Sequence, residues 1–475
     1  MKIISFIHSA LRGSNIHDQL KTVGDCFLLS NTDSNNCEED ILKISGSPFS
    51  SNTIKLILKK SENYDLTLFL TQNTDASISA ELFSTVENSN SMCLYSDYFI
   101  NGTDRKINID FQKGSLRDGF SFGPLLCFKY PQLLFSFIKD SNYIYGGLYD
   151  LILKINRTER PFHIKKELYS IFPKKIDNRK SGEKQFDYLD SKNRSLQIEF
   201  EKVATEHLKE INAYISEDSL KKINFNKETS KITASVVIPV YNRERTIADA
   251  VNSALSQKFD AQFNVIVVDN HSTDKTTDIL NEIAKKDTRL IHIIPEENDL
   301  KIGGCWNKAL NSEHCGLFAV QLDSDDIYSD ENTLQKIIDK FYEDQCAMVI
   351  GSYKITNFKL EALPPGIIDH KEWTNSNGMN NALRINGLGA PRAFYTPLAR
   401  QILFPNCSYG EDYAMGLAIS RQFKIGRIYD VLYLCRRWEG NSDADLSMEK
   451  QNLNDSAKDA MRTLEIEKRI LLNTL

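Results

Sequence analysis

The residues best suited to chemistry fall into four short groups in the second half of the chain. Asp323-Ser324-Asp325-Asp326 places three carboxylates within four residues. Such charges repel one another unless something positive sits among them. A hard divalent cation with oxygen ligands, Mn²⁺ or Mg²⁺, fills that role and can bridge the phosphates of a nucleotide. A solvated acidic turn has the same composition, but this one directly follows the apolar run Leu317-Phe318-Ala319-Val320-Gln321-Leu322. Glu411-Asp412 follows Gly410 and opens an amphipathic stretch through Tyr413, Leu417 and Ile419. Carboxylates are stabilised at a helix N-terminus. One that reaches a sugar hydroxyl can also take its proton.

The third group is Pro239-Val240-Tyr241-Asn242 together with Asp269-Asn270. Tyr241 offers a ring to pack beside a flat base, and Asp269 or Asn270 an acceptor for base or ribose. The fourth is Arg436-Arg437-Trp438. Two guanidiniums can neutralise a diphosphate bidentately, and Trp438 offers a face to a sugar ring. Gly303-Gly304, before Cys305-Trp306-Asn307, marks a tight loop where backbone can approach a ligand.

Strands and helices must bring these groups together. From Ile232 the texture is βαβ. Ala234–Ile238 and Asn264–Val268 are apolar strands, and Thr246 is placed to cap a helix through Ile247, Ala250, Val251 and Leu255. Continuous apolar strands alternating with helices predict an α/β domain with a mostly parallel sheet covered on both faces. Ligands bind such sheets at the carboxyl ends of the strands, where Asn242, Asp269 and Asp323 stand.

Upstream, residues 1–173 also alternate strand-like and helix-like pieces, including Leu66–Leu70 and Met92–Tyr95. A polar stretch from Lys174 to Asp190, an amphipathic helix from Arg194 to Ile215 and a second polar stretch to Lys231 read as a connection. The expected organisation is a domain over 1–185, a helical linker over 186–230, a second domain over 231–445, and a C-terminal helix over 446–475 closing that second domain.

Two stretches align without a gap. Tyr145, Gly146, Tyr149, Leu153, Ile155, Arg157, Ile164, Leu168 and Tyr169 recur as Tyr409, Gly410, Tyr413, Leu417, Ile419, Arg421, Ile428, Leu432 and Tyr433. The first half therefore reads as a diverged copy of the second. Glu411-Asp412 corresponds to Gly147-Leu148, and Asp323-Ser324-Asp325 to Thr71-Gln72-Asn73, so the first copy lacks the carboxylates.

The chain as a whole limits the alternatives. A length of 475 residues suggests two or three domains. A formal net charge of −6 with no basic face argues against a nucleic-acid binder. The nine cysteines are scattered without a CxxC pair, which suggests free thiols in a reducing compartment. No apolar run reaches the length of a spanning helix. The expectation is a cytoplasmic protein, with peripheral contact at the inner face of the membrane left open.

In order and spacing, Val236–Asn242, Val267–Asp274, Leu322–Asp326 and Gly410–Asp412 resemble the family 2 glycosyltransferases of the Rossmann-like GT-A fold. The resemblance implies two tandem GT-A-like domains, the first degenerate and non-catalytic. It implies that Val240, Tyr241 and Asp269 hold base and ribose, that Asp323 contacts the ribose side, and that Asp325 binds the cation under the diphosphate. Asp412 becomes the base for inverting transfer from a nucleotide-sugar, UDP-linked by preference, to a glycan or lipid-linked glycan in surface polysaccharide synthesis. Asn307 falls where the family has an asparagine near the donor. The chain departs from the family at Asn270-His271, where Asp-Gly is common, and Leu434-Cys435-Arg436-Arg437-Trp438 keeps only the end of the processive motif. Acceptor selectivity is expected in 378–394, around Arg384, Gly387 and Arg392. The competing readings are a sugar-1-phosphate nucleotidyltransferase, which would need a Gly-rich phosphate loop that 239–243 does not supply, and a catalytically inactive glycan-binding or scaffolding protein.

Overall fold

A computed structural model describes residues 1–31, 39–174, 193–225, 231–371, 375–441 and 446–475. The polar connection over 175–190 and the domain ends expected at 185, 230 and 445 lie outside the described residues. The chain forms two compact units, one built from residues up to 174 with 193–214 and 446–475, the other from 215–441.

The first unit contains β1 (Ile3–His8), β2 (Asp25–Ser30), β3 (Ile41–Lys43), β4 (Leu66–Leu70), β5 (Asp75–Ile78), β6 (Cys93–Ile100), β7 (Asp104–Lys106), β8 (Leu125–Phe128) and β9 (Phe162–Phe172). Its sheet has the order β3-β2-β1-β4-β8-β6-β9-β5, with β7 on β6. The second unit contains β10 (Ala234–Val240), β11 (Phe263–Asp269), β12 (Leu290–Ile293), β13 (Phe318–Gln321), β14 (Ile327–Tyr328), β15 (Met348–Thr356), β16 (Ala362–Ile368), β17 (Arg392–Tyr395) and β18 (Ile425–Arg436). Its order is β12-β11-β10-β13-β17-β15-β18-β14, with β16 on β15.

Adding nine to each strand number of the first sheet gives the second. Every pairing also keeps its sense. β1 is parallel to β2 and β4 as β10 is to β11 and β13, and β8 enters antiparallel as β17 does. The parallel strands read from sequence are thus continued by antiparallel ones in both units. The register is matched too. Leu94 pairs with Phe162 and Val349 with Gly426, and the gapless repeat superposes Phe162 on Gly426. Leu68 pairs with Cys127 and Val320 with Ala393, which sets Thr71-Gln72-Asn73 against Asp323-Ser324-Asp325.

Burial explains the central strands. Leu66, Thr67, Leu68, Phe69 and Leu70 are all buried, as are all residues of β11, because helices cover both faces. The helix expected over 194–215 runs from Arg194 to Glu210. It ends where Asn212 turns left-handed (φ 58°) and the amide of Ala213 returns to the carbonyl of Leu208. It is not a free linker. Glu199 accepts hydrogen bonds from the amides of Ile144, Tyr145 and Gly146 (2.9, 2.6 and 3.0 Å), and Phe200 stacks on Tyr149.

The C-terminal helix, Met448–Thr474, also differs from expectation and belongs to the first unit. Its Asp459 meets Arg117 Nε at 3.3 Å and Ser115 Oγ at 2.8 Å. Gly114 lies against the helix so closely that a Cβ there would be 2.3 Å from the Thr463 nitrogen. These partners are polar and more than three hundred residues apart in the chain, so apolar periodicity carries no trace of them. Among the described residues no helix is long and apolar enough to cross a membrane.

Candidate active site

The parallel strands β10, β11 and β13 end at one edge of the second sheet, and the predicted residues emerge there. Pro239 and Val240 finish β10 and pair with Val268 and Asp269 of β11; Val240 is buried. Tyr241 is 55% exposed and its ring is available to a ligand. Asn242 is not. In a left-handed conformation (φ 50°), its Oδ1 accepts from the Thr273 amide (2.7 Å) and its own amide donates to Ser272 Oγ (3.0 Å). It therefore ties the ends of β10 and β11 together.

Asp269 is fully buried. One oxygen accepts from the Ser272 amide (3.0 Å), the other from Thr277 Oγ1 (2.6 Å), with His292 Nε2 at 3.4 Å. Burial alone would raise its pKa, but these donors outweigh it and hold the carboxyl well below the usual range. The expected base or ribose contact thus falls on a carboxylate already spent on the turn. Asn270 follows it, half-buried. Its Nδ2 donates to the Leu300 carbonyl (2.9 Å), which fixes the amide, and its buried Oδ1 has no partner among the described residues.

The acidic turn after β13 separates into three environments. Asp326 is buried, accepts from the Arg436 amide at 2.7 Å, and is pushed well up by burial and by its two acidic neighbours. Asp323 accepts from Gln321 Nε2 (2.9 Å) while its amide donates to Tyr433 Oη (3.0 Å). Burial raises it and Arg392 pulls it back only in part. Ser324 is buried between them. Asp325 faces Trp438 Nε1 and Asn441 Nδ2, both 3.2 Å from its Oδ2, with Arg243 Nε 3.9 Å away. Its Oδ1 has no donor among the described residues.

This arrangement suits a cation that brings most of its own ligands. Among the described residues no three His, Cys, Asp or Glu side chains converge, so the protein does not form a cage. One open carboxylate oxygen, completed by diphosphate oxygens and water, is how Mg²⁺ and similar hard ions are commonly held.

Arg436 and Trp438 differ from expectation. Arg436 is buried; it donates from Nη1 to Asp249 (2.8 Å) and from Nε to the Asp325 carbonyl (2.6 Å), and lies over Phe358. It braces the acidic turn and is not turned outward toward a diphosphate. Arg437 continues the strand, its amide donating to the Thr356 carbonyl (2.7 Å). Trp438 has Arg245 over its ring at 4.9 Å and Phe358 against its edge, so the face expected to meet a sugar is covered. Its indole N–H instead holds Asp325.

Glu411 and Asp412 begin the helix Glu411–Ser420 after Gly410, whose φ of 81° suits glycine. Asp412 Oδ2 is 2.7 Å from Arg392 Nη1, at the start of β17. Glu411 is 9% exposed and, among the described residues, pairs with no basic side chain. Burial and the adjacent Asp412 charge push its pKa up to about 8, against a smaller pull from Arg392.

The loop before this pair is strapped to the helix Ile302–Asn311. Asn307 donates to the Phe404 carbonyl (2.8 Å) and accepts from the Phe404 amide (2.9 Å). Asn406 Oδ1 accepts from the Lys301 amide (2.8 Å). Asn307 thus clamps the backbone of Phe404 through one donated and one accepted bond, which makes it a positioning residue. Gly303 serves the same junction, since a Cβ there would lie 1.9 Å from the Pro405 carbonyl oxygen and 3.2 Å from Glu411 Cβ.

Sequence reasoning missed Arg243 and Asn441 beside Asp325, and placed Arg392 near the cleft for acceptor selectivity without pairing it with Asp412. Arg243 directly follows the Asn242 turn, a weak local signal. Nothing local marks the other two.

Residues 235–394 match the family described as "Glycosyl transferase family 2". TuaG of Bacillus subtilis, assigned as a teichuronic acid biosynthesis glycosyltransferase, is 35% identical over 125 residues, 26% of this chain and 48% of that protein. The poly(ribitol-phosphate) β-glucosyltransferase of Bacillus spizizenii is 28% identical over 210 residues, 43% of this chain and 32% of that protein. WfgD of Escherichia coli, a UDP-Glc:α-D-GlcNAc-diphosphoundecaprenol β-1,3-glucosyltransferase, is 32% identical over 123 residues, 26% of this chain and 46% of that protein. The chain thus spans half or less of the length of these relatives. Staphylococcus aureus TarS 1–349 with UDP-GlcNAc is similar at 24% identity and a TM-score of 0.39, over 50% of this chain and 72% of that one.

Proposed function

We propose that the second unit, which carries a family 2 glycosyltransferase domain of the GT-A fold, moves a sugar from a nucleotide diphosphate, a UDP-sugar by preference, to a hydroxyl of a glycan or lipid-linked glycan. The observation that carries this is the Asp412–Arg392 contact of 2.7 Å at the sheet edge that also bears Asp325. Arg392 pairs with Asp412 and aims it. An ionised carboxylate in that position takes the proton of the acceptor hydroxyl as its oxygen attacks the anomeric carbon from the side opposite the diphosphate, which inverts the centre.

The other residues bind and orient. Tyr241, 55% exposed, packs beside the base. Asp325 would hold Mn²⁺ or Mg²⁺, whose chemistry there is to offset the charge of the leaving diphosphate. The relatives acting on wall polymers and on a diphosphoundecaprenol-linked sugar support a surface-polymer acceptor. The first unit, with Thr71-Gln72-Asn73 and Gly147-Leu148 at the equivalent positions, is proposed to be non-catalytic.

Two measurements test this. Melting of the intact protein with UDP, GDP, CDP or dTDP, each with and without Mn²⁺, should show metal-dependent stabilisation by one diphosphate, lost in Asp325→Ala. A ligand at a hundred times its Kd adds about 2.7 kcal/mol. Asp412→Asn should keep that stabilisation and lose about a hundred- to ten-thousand-fold in nucleoside diphosphate release. No response to any nucleotide favours the inactive glycan-binding reading. Unchanged turnover in Asp412→Asn removes Asp412 from the mechanism.

A further inference from the structure

The C-terminal helix Met448–Thr474 is inverted in polarity. Its inward face carries Lys458, Asp459, Arg462, Glu465 and Arg469, all buried. Its outward face carries Leu453, Leu464 and Leu471, which are 69, 58 and 61% exposed, with Ala457 exposed and Ala460 half-buried between them. An amphipathic helix of a soluble domain ordinarily buries its apolar stripe. Here charge pairs anchor the helix, and the apolar stripe is left for something else.

The spacing says what fits it. Residues 453, 457, 460 and 464 follow the alternating four- and three-residue steps of a seam that packs against another helix, and Leu471 lies one heptad beyond Leu464. Small residues at 457 and 460 allow a close approach at the middle of that seam. At about 100° per residue, Glu449 and Glu467 line one edge of the stripe and Lys450 and Lys468 the other. All four are exposed. A twofold axis along the helix turns the acidic edge of one copy onto the basic edge of the other. An anionic lipid surface would meet two glutamates together with the leucines, which disfavours it.

We propose that this stripe is a self-association face, through which two copies of the chain pair their C-terminal helices in parallel. The contact is isologous, so the same residues face each other across the axis.

The test is sedimentation velocity and light scattering on the full chain over a range of concentrations. The wild type should be a dimer. Leu464→Glu should be a monomer at every concentration, with an unchanged far-UV spectrum. Glu467→Lys, which breaks the complementarity without touching the leucines, should weaken the dimer, and adding Lys468→Glu to it should restore it. In the parallel arrangement Leu464→Cys should cross-link to itself on oxidation, over the background given by the native thiols. A wild type that stays monomeric overturns the proposal, as does a dimer indifferent to Leu464→Glu. Leu464-dependent binding to phosphatidylglycerol vesicles by a monomer would overturn it in favour of a lipid surface.

Discussion

Glu411→Gln should make the second unit more stable at neutral pH while leaving the fold unchanged. Glu411 is 9% exposed, has no basic partner among the described residues, and sits beside Asp412, which already claims Arg392. Burial and that neighbouring charge raise its pKa from 4.5 to about 8. A carboxyl whose folded pKa lies above its unfolded value binds its proton more tightly when folded. Between pH 4.5 and about 8 the folded chain holds a proton that the unfolded chain has released, so stability falls as pH rises and levels off above 8. At pH 7 the group lies about 2.5 pH units above its unfolded value, which at 1.36 kcal/mol per unit is a loss of about 3 kcal/mol relative to acid pH. Glutamine has the same shape and no charge to lose. Melting curves from pH 5 to 9 should show the wild type losing stability along this slope. The variant should be flatter and melt roughly 6–12 °C higher at pH 7 for a domain of this size. Equal melting temperatures and equal slopes would refute the claim that Glu411 is held as a neutral acid.

Two further substitutions separate positioning from ligand contact. Asn307→Ala leaves the buried amide and carbonyl of Phe404 without their partner, costing about 1–3 kcal/mol. Calorimetric titration with UDP and Mn²⁺ should give the same affinity as the wild type, whereas a tenfold loss would return Asn307 to the donor site. Gly303→Ala drives a methyl group into the Pro405 carbonyl, 1.9 Å from the ideal Cβ, and must push the loop before Glu411 outward. It should cost about 1–3 kcal/mol and lower kcat with little change in the KM for donor; unimpaired turnover would show that this junction does not aim Asp412.

The strand ends and the acidic turn were legible because their signals are local. An apolar run followed by Asp323-Ser324-Asp325-Asp326 reports both the strand and its end. The duplication was legible for a similar reason, since Tyr145–Tyr169 and Tyr409–Tyr433 keep a common spacing that the two sheets then match strand for strand. What sequence does not report is the direction a side chain faces. Arg436, Trp438, Asn307 and Asp269 are chemically able to meet a ligand, and each is spent on the scaffold instead. Their partners Asp249, Asp325, Phe404 and Thr277 are fixed by tertiary packing. The C-terminal helix was assigned to the second domain, which it directly follows in sequence, because the face that docks on the first unit is charged and leaves no apolar periodicity to report it.

The comparison between the two sheets sharpens the proposed division of labour. Arg392 stands one residue before Ala393, which pairs with Val320 and Val349; Leu126 stands one residue before Cys127, which pairs with Leu68 and Leu94. The position that holds Asp412 in one sheet holds Leu148 in the other. So the first unit has leucine in place of both members of the ion pair, and Leu126 and Leu148 pack into one apolar cluster. Removing one partner of a buried pair strands a charge, typically at 3–5 kcal/mol, whereas replacing both with apolar groups is often neutral or stabilising. A sheet that had lost only its carboxylate would carry a largely covered arginine without its counter-charge. The paired replacement is what stability alone requires of a copy that no longer needs a base. Introducing Leu148→Asp into the first unit should therefore destabilise it by several kcal/mol, and Leu126→Arg in the same chain should recover part of that loss. A double variant no more stable than Leu148→Asp would show that these two positions do not face one another as their counterparts do.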